Sequence, residues 1–224
     1  MHIPDGFIDL PTSAVVGLLA VGGTAIALKK AKNELDDRTA PMAGLTAVFI
    51  FAVQMLNFPV AAGTSGHLLG GALATVLVGP YAASLALTVV LGIQALLFAD
   101  GGLSALGLNI FNMSILGVAT SYLVFIIARK ILPKVRGSIP LAAGIAAFFS
   151  VPVAATGFAI QYAIGGTGTA PASTVFAAMF GTHVLIGIGE AVITVLTVSA
   201  IMATRSDLVY GWSASEVKLE VRNS

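Results

Sequence analysis

Charged residues are scarce in this chain, and their scarcity excludes an ordinary soluble domain. Asp, Glu, Lys and Arg make up 9% of the 224 residues, against about 25% in a typical globular protein. Hydrophobic residues make up 57%. A soluble fold of this length needs a charged surface around its core, so we expect most of this surface to contact lipid.

Cysteine is absent, which excludes both a disulfide framework and a thiolate metal site. The net charge is +1 and there is no basic run, so nucleic acid is not expected as a partner. The first residues lack the basic region that precedes the apolar stretch of a secretory signal. We expect Met1 to be retained, because the bulky His2 follows it.

Long uncharged stretches predict an all-α membrane protein with about seven transmembrane helices, since each span needs roughly 20 apolar residues. A stretch between residues 58 and 99 is long enough for two spans, and Gly79-Pro80 is the natural break because proline interrupts helical hydrogen bonding. The first helix of this pair, about His67 to Val78, is short; it begins earlier or follows a loop that dips into the membrane. The other five stretches are Leu10–Leu28, Ala40–Phe58, Leu106–Ala128, Ile139–Ile164 and Thr174–Thr204.

Basic residues predict the orientation of these spans. With seven spans, all 11 Lys and Arg fall on one side of the membrane, which the positive-inside rule makes cytoplasmic. The N-terminus then faces outward. We expect one transmembrane domain over residues 1–205, with a separate segment at residues 1–9, and a cytoplasmic tail over residues 206–224. The basic residues are Lys29, Lys30, Lys32, Arg38, Arg129, Lys130, Lys134, Arg136, Arg205, Lys218 and Arg222.

The first two residues could chelate a metal ion. The Met1 amine, the His2 amide and the His2 imidazole are successive nitrogens that close a five-membered and a six-membered ring around one ion. The amide must lose its proton, which Ni(II) and Cu(II) promote, and both ions favour square-planar nitrogen coordination. A second imidazole would complete the plane, and His67 is the candidate because it lies at the outer end of its predicted span.

Further polar residues stand near the outer ends of spans or inside them: Asp5, Asp9, Asp100, Asn109, Asn112, His183 and Glu190. Ionisable groups inside a membrane are costly and by default indicate a functional site. His183 and Glu190 are seven residues apart and therefore share one face of the last helix. Pairing with each other, or with Asn109 or Asn112, is the structural interpretation of these two residues.

The opening sequence Met1–Phe7 (MHIPDGF) resembles the start of the NikM/CbiM family. These proteins are the substrate-capture (S) subunits of energy-coupling-factor (ECF) transporters for nickel and cobalt. The resemblance covers essentially the whole chain and continues through Asn57–Pro59, Gly63–Gly71, Phe98–Gly102 and Gly181–His183. It implies a fold in which an N-terminal helix is added to a six-helix core.

The resemblance also implies the ligands. Met1 would supply its amine, His2 its amide and imidazole, and His67 its imidazole, and the N-terminal segment would fold back into the bundle. A planar four-nitrogen site favours Ni(II) as the substrate, with cobalt as the alternative. Because metal ligands need oriented supports, we predict supporting roles for Asp5, Asp100, Asn109, Asn112 and His183.

Partners are expected because the chain has no phosphate-binding G-x-x-x-x-G-K-S/T loop and is not predicted to be an enzyme. The resemblance implies a transmembrane coupling (T) subunit, two ATPase subunits and a small accessory membrane subunit. It also implies location in a prokaryotic inner membrane, with ATP hydrolysis in the partners.

Two other functions stay open on the residues alone. Gly63–Gly66 matches the G-x-S-G of rhomboid-type intramembrane serine proteases, in which Ser65 would be the nucleophile and His183 the base. Alternatively, a metal-gated or proton-coupled channel could use His183 and Glu190 as a relay. The channel hypothesis gives no role to the histidine at the second position of the chain.

Overall fold

The computed structural model describes residues 1–37, 39–59 and 65–210, and that part of the chain is mainly helical. Arg38, Gly63, Thr64, Lys218 and Arg222, on which parts of the predictions fall, lie outside the described residues. The first helices are α1 (Leu10–Ala31), α2 (Thr39–Gln54), α3 (Gly71–Val78) and α4 (Pro80–Phe98). They are followed by α5 (Leu106–Asn109), a π-helix (Ile110–Leu116), α6 (Gly117–Ile131), α7 (Ser138–Gly165), α8 (Ala172–Arg205) and a 3₁₀-helix (Ser206–Leu208).

Five of these helical runs are long and apolar enough to cross a membrane. They are α1, α4, the continuous run Leu106–Ile131, α7 and the run Ala172–Leu208, while α2 is a shorter apolar helix. Large apolar side chains such as Leu18, Leu97 and Leu185 are exposed on them, as expected for a surface that contacts lipid. The helical membrane architecture is therefore confirmed, with boundaries within a few residues of the prediction at most ends. The second span ends earlier than predicted, at Gln54.

The short helix α3 lies at the centre of the bundle, and all eight of its residues are buried. It contacts α2, α4, α6 and α7. The predicted break is where α3 gives way to α4: Gly79 has φ +87°, and Pro80 is the first residue of α4. Of the two alternatives for this region, the structure has the loop, because residues 67–70 are non-helical, with His67 and Leu69 buried and the other two residues partly buried. This loop carries His67 into the bundle.

A small antiparallel pair precedes that loop. The strand β1 (Phe58–Pro59) pairs with β2 (Ser65–Gly66), so the chain returns towards the bundle immediately before His67. Gly70 ends the loop in the left-handed region at φ +78°, and a Cβ there would come within 2.8 Å of Ile50. Only glycine meets both demands without strain.

The basic residues of the described chain lie at one end of the bundle. Lys30, at the end of α1, donates to the Tyr81 hydroxyl at the start of α4. Glu34, in the α1–α2 connection, accepts from the Ala82 amide at the same helix start. Arg136, between α6 and α7, donates to the Met202 carbonyl near the end of α8. The N-terminal segment lies at the opposite end, against the last residue of α7.

Candidate metal centre

The first nine residues form a segment that hydrogen bonds hold inside the end of the bundle opposite the basic residues. Ile3 is fully buried, and its amide donates to Asn109 Oδ1 at 2.8 Å. Its carbonyl accepts from Asn109 Nδ2 at 3.2 Å and from the Gly102 amide at 2.9 Å. Because each backbone polar group of Ile3 has a partner, the segment can be buried without a desolvation penalty at this residue.

The Gly101-Gly102 pair provides the space for this segment. A Cβ on Gly102 would lie 2.3 Å from the Asp5 nitrogen and 2.7 Å from the Asp5 Cα. A Cβ on Gly101, which has φ +94°, would lie 3.2 Å from the His2 ring. Only glycine allows so close an approach between two backbones.

The far end of the segment is fixed next to α1 and α7. The Asp9 amide donates to the Gly165 carbonyl at 2.7 Å, while the Asp9 carboxylate accepts from the Thr12 amide at 2.9 Å and caps α1. Thr167 donates through its amide to the Phe7 carbonyl at 3.2 Å. The Phe7 ring packs on Phe158 and Tyr162. Asp9 therefore marks the boundary between segment and first helix.

Within the segment, Asp5 fixes the chain to the α4–α5 connection. Its carboxylate accepts from both the amide and the hydroxyl of Ser104, at 2.7 and 2.6 Å. These hydrogen bonds lower the pKa of Asp5. The side chain is exposed and does not reach the histidines, so its contribution is to hold the backbone of the segment.

The two histidines predicted as ligands are in contact. His2 is 5% exposed and His67 is 1% exposed, and their rings stack with centroids 4.5 Å apart. His2 Nε2 lies 3.1 Å from Gln94 Oε1, and in the tautomer that donates this hydrogen bond Nδ1 keeps its lone pair. His67 Nδ1 donates to the Leu68 carbonyl at 2.8 Å, which leaves Nε2 with its lone pair. The hydrogen bond of His67 thus selects the tautomer in which Nε2 could bind a metal ion, and the Gln94 contact of His2 is compatible with a ligand at Nδ1.

The remaining ring nitrogens have the properties of ligand atoms. His2 Nδ1 and His67 Nε2 are buried, and among the described residues neither has a hydrogen-bond partner. The chelate rings inferred from the sequence need His2 Nδ1, and this is the nitrogen left available. Buried polar atoms are almost always paired, so two ring nitrogens without a hydrogen bond on stacked rings, one of them facing the Asp100 carboxylate, fit an ion that would be bound there.

Burial also keeps the terminal groups neutral. It lowers the pKa of the Met1 amine to about 4. Burial, together with the neighbouring amine, lowers the pKa of His2 to about 4 as well. At neutral pH both groups therefore carry the lone pairs that a metal ion needs, without prior loss of a proton.

Asp100 supplies charge next to these nitrogens. Its Oδ1 lies 3.2 Å from His2 Nδ1, and its Oδ2 accepts from Asn57 Nδ2 at 2.9 Å. A divalent ion bound to one deprotonated amide would leave one net positive charge in a buried site. The Asp100 carboxylate would offset that charge, which is a favourable arrangement at low dielectric.

The other two predicted supporting residues, Asn112 and His183, form hydrogen bonds with residues of the helices. Asn112 exchanges two hydrogen bonds of 2.8 Å with Gln161, so its amide is engaged away from the terminal segment. His183 donates from Nδ1 to the Met179 carbonyl of its own helix at 2.7 Å, and its buried Nε2 has no hydrogen-bond partner among the described residues. The expected pairing of His183 with Glu190, or of either with Asn109 or Asn112, is wrong. Glu190 instead accepts from the Leu69 and Gly70 amides.

The sequence reasoning missed several residues of this site. Gln94, which is fully buried in α4, orients His2, and Gly102 and Ser104 hold the segment. Gln94 lies in the middle of an apolar helix, whereas the amides predicted to support the site, Asn109 and Asn112, lie near the start of a predicted span. A glutamine inside a 19-residue apolar stretch was the signal available for Gln94.

Side chains alone do not make a metal site here. Among the described residues, no three His, Cys, Asp or Glu side chains converge as a group that could hold an ion. A site at His2 and His67 consequently needs backbone nitrogens, and the buried amine and amide of the first two residues are adjacent to them.

The family of the chain follows from its match to known proteins. The family model described as "cobalt uptake substrate-specific transmembrane region" matches residues 2–208. The chain belongs to the CbiM family. It is therefore a multi-pass membrane protein of a family of nickel and cobalt transport subunits.

Similar proteins agree with this assignment. A protein of Haloquadratum walsbyi, whose name describes metal transport, is 40% identical over 217 residues, which is 94% of each chain. A protein of Archaeoglobus fulgidus, whose name describes a fused nickel transport protein NikMN, is 38% identical over 209 residues, covering 93% of this chain and 68% of that protein. The crystal structure of a truncated transition metal transporter superposes with a TM-score of 0.83 at 32% identity, covering 91% of this chain and 99% of the other. Such relatives are transport proteins, which favours a transport role over the protease alternative.

Proposed function

We propose that this CbiM-family chain is the substrate-binding subunit of an ATP-driven ECF-type uptake transporter for nickel ions. The ion would be bound at the outer side by four nitrogens in a plane: the Met1 amine, the His2 amide, His2 Nδ1 and His67 Nε2. The observation that carries the proposal is the burial of the N-terminal segment against His67, with the rings of His2 and His67 stacked and His67 Nε2 without a hydrogen bond among the described residues. Cobalt is the alternative substrate.

The transporter arrangement is part of the proposal. The chain would span the inner membrane of a prokaryotic cell seven times, as one domain over residues 1–205, with its basic end in the cytoplasm. A transmembrane coupling subunit, two ATPase subunits and a small accessory membrane subunit would supply the energy and complete the transporter. The location of the described basic residues at the end opposite His2 supports this orientation.

Titration of the purified chain with Ni²⁺ tests the proposed site. We expect one ion per chain and a visible absorption band typical of a planar nitrogen field. Replacing His67 with alanine should weaken binding by more than about 100-fold, above the 10–100-fold typical of residues that only orient a ligand. It should also move the band to longer wavelength, because water replaces a nitrogen and weakens the ligand field.

The matched control for this titration is His183→Ala, which removes another buried imidazole with an unpaired Nε2. We expect its affinity to stay within about tenfold of the original, the lower end of the range for supporting residues. Equal losses in the two variants, or no planar band in the unchanged chain, would contradict the proposed ligand set.

The number of protons released on nickel binding gives a second test. At pH 7 an exposed amine with a pKa near 8 is about 90% protonated, so an exposed chelate releases about two protons per ion, one from the amine and one from the amide. The buried amine has a pKa of about 4 and is already neutral, so we expect about one proton from the whole chain. Calorimetry in buffers of different ionisation enthalpy measures this number.

The sign of the pH dependence follows from the same pKa values. The amine and His2 have lowered pKa values in the docked segment. Between about pH 4 and 8 the undocked segment therefore binds more protons than the docked segment. Docking of the segment consequently becomes more favourable as the pH rises.

The peptide MHIPDGF is the exposed control for the proton count and should release about two protons. A value of two from the full chain would show that the amine is not held as described.

A further inference from the structure

The loop that carries His67 is held by a carboxylate from the last helix. Glu190 lies near the middle of α8 and is 2% exposed. Its Oε2 accepts from the Leu69 amide at 2.5 Å and its Oε1 accepts from the Gly70 amide at 2.9 Å. Both oxygens are therefore used on two successive backbone amides, an arrangement by which backbone N–H groups bind anions.

This contact satisfies groups that the fold would otherwise leave unpaired. Residues 67–70 are non-helical and are buried or partly buried, so their amides have no helical partners. The Leu69 carbonyl accepts from Gln54 Nε2 of α2 at 2.7 Å, so this residue is held from both sides. A buried carboxylate in an apolar helix is costly, and a single hydroxyl or amide oxygen could not serve two successive amides as well.

The hydrogen bond of the His67 ring links this contact to the ligand atom. His67 Nδ1 donates to the carbonyl of Leu68, the residue between His67 and the two amides that Glu190 binds. The position of the Leu68–Gly70 backbone therefore fixes the direction in which His67 Nε2 points. Glu190 does not bond the imidazole itself, so it can act on that nitrogen only through the backbone.

We propose that Glu190 is the positioning residue that holds His67 Nε2 at the fourth corner of the nickel site, so that α8 controls whether this ligand is presented. The inference rests on the proposed function. The helix α8 runs 34 residues from the outer end to the basic end, where the Met202 carbonyl accepts from Arg136. A displacement of α8 relative to the bundle would move the loop and withdraw one of the four nitrogens.

A double-mutant cycle tests this on the purified full chain, with Ni²⁺ as the probe. Glu190→Gln keeps the shape of the side chain but replaces one carboxylate oxygen with an NH2 group. This group is a donor and cannot accept from the backbone amide that it faces. We expect a 10–100-fold loss of nickel affinity and an absorption band shifted towards that of His67→Ala. In the His67→Ala background the same substitution should cause no further loss, since coupled residues are non-additive.

Glu190→Asp is the second variant, because it keeps the charge but shortens the side chain by one methylene. It should give a smaller loss that also disappears in the His67→Ala background, and it maintains the test if Glu190→Gln does not fold. Thr194→Val is the matched control: it is an isosteric change at a buried position one turn further along α8, and affinity and band should not change.

Additive losses in the two backgrounds would overturn the inference, because a general structural defect acts with or without His67. An unchanged band in Glu190→Gln would overturn it too. In both cases the unchanged chain would still show the planar band and its shift in His67→Ala, so the proposed function would stand. Absence of that band in the unchanged chain would instead contradict the proposed function.

Discussion

Acetylation of the Met1 amine should lower the affinity for Ni²⁺ by about 1,000-fold or more. An acetylated nitrogen is an amide without a basic lone pair, so the five-membered chelate ring cannot close in the usual way. The amine lies in a buried site, where Met1 is 2% exposed, so the acetyl group would also crowd the segment. Both effects act in the same direction, and the loss should exceed that of His67→Ala.

Titration of acetylated and unmodified chain, followed by absorbance, measures this effect. Acetylation removes the chelate more completely than an added residue would. With one residue added before Met1, the histidine would be third in the chain, and the new amine, two amides and the imidazole could together still bind nickel. Unmodified His67→Ala is the control, since it keeps the three N-terminal nitrogens and should still bind with a shifted band. If acetylated chain binds nickel as tightly as unmodified chain, the amine is not a ligand.

Replacing Gly102 with alanine should lower nickel affinity by about 100-fold. The new Cβ would lie 2.3 Å from the Asp5 nitrogen, and the atoms it meets are mainly backbone, which cannot move aside as a flexible side chain would. The segment would have to leave its place, losing the hydrogen bond from the Gly102 amide to the Ile3 carbonyl. The chelate would then lose its fixed position next to His67, and preorganisation accounts for much of the affinity of a rigid site.

Two measurements distinguish this displacement from general damage. Besides the weaker nickel binding, the Met1 amine should react faster with amine-directed reagents once the segment is exposed. Gly92→Ala in α4 is the matched control, because a Cβ there has nothing within 4 Å. Unaltered binding and amine reactivity in Gly102→Ala would show that the segment is not held as the structure describes.

Features that depend on neighbouring residues in the sequence could be predicted, whereas contacts between distant parts of the chain could not. The span limits follow from apolar runs and from breakers such as Gly79-Pro80, because helix length in a membrane depends on the local sequence. The chelate at Met1 and His2 could be proposed because its three nitrogens belong to consecutive residues. His67 was chosen on its predicted location at the outer side and on family resemblance.

The supporting contacts could not be predicted in the same way. Gln94 meets His2 across 92 positions of sequence, and Glu190 meets Leu69 across 121. Such pairs depend on how helices pack, and nothing in the local sequence around either partner specifies the other. The predicted partners of Glu190 were side chains, whereas its actual partners are backbone amides, which a search for polar residues cannot identify.

The division of the ligands between two parts of the chain has a consequence for the exit of the ion. Three of the four proposed nitrogens belong to Met1 and His2, and their segment is anchored at its far end by Asp9. If the segment swings out about Asp9 as a hinged flap, all three bonds are lost in one movement. The ion would then be coordinated by a single protein ligand, the His67 imidazole, which binds nickel only weakly. Release of the ion would thus be a single step. One displacement of the segment would change the affinity for the ion from high to very low.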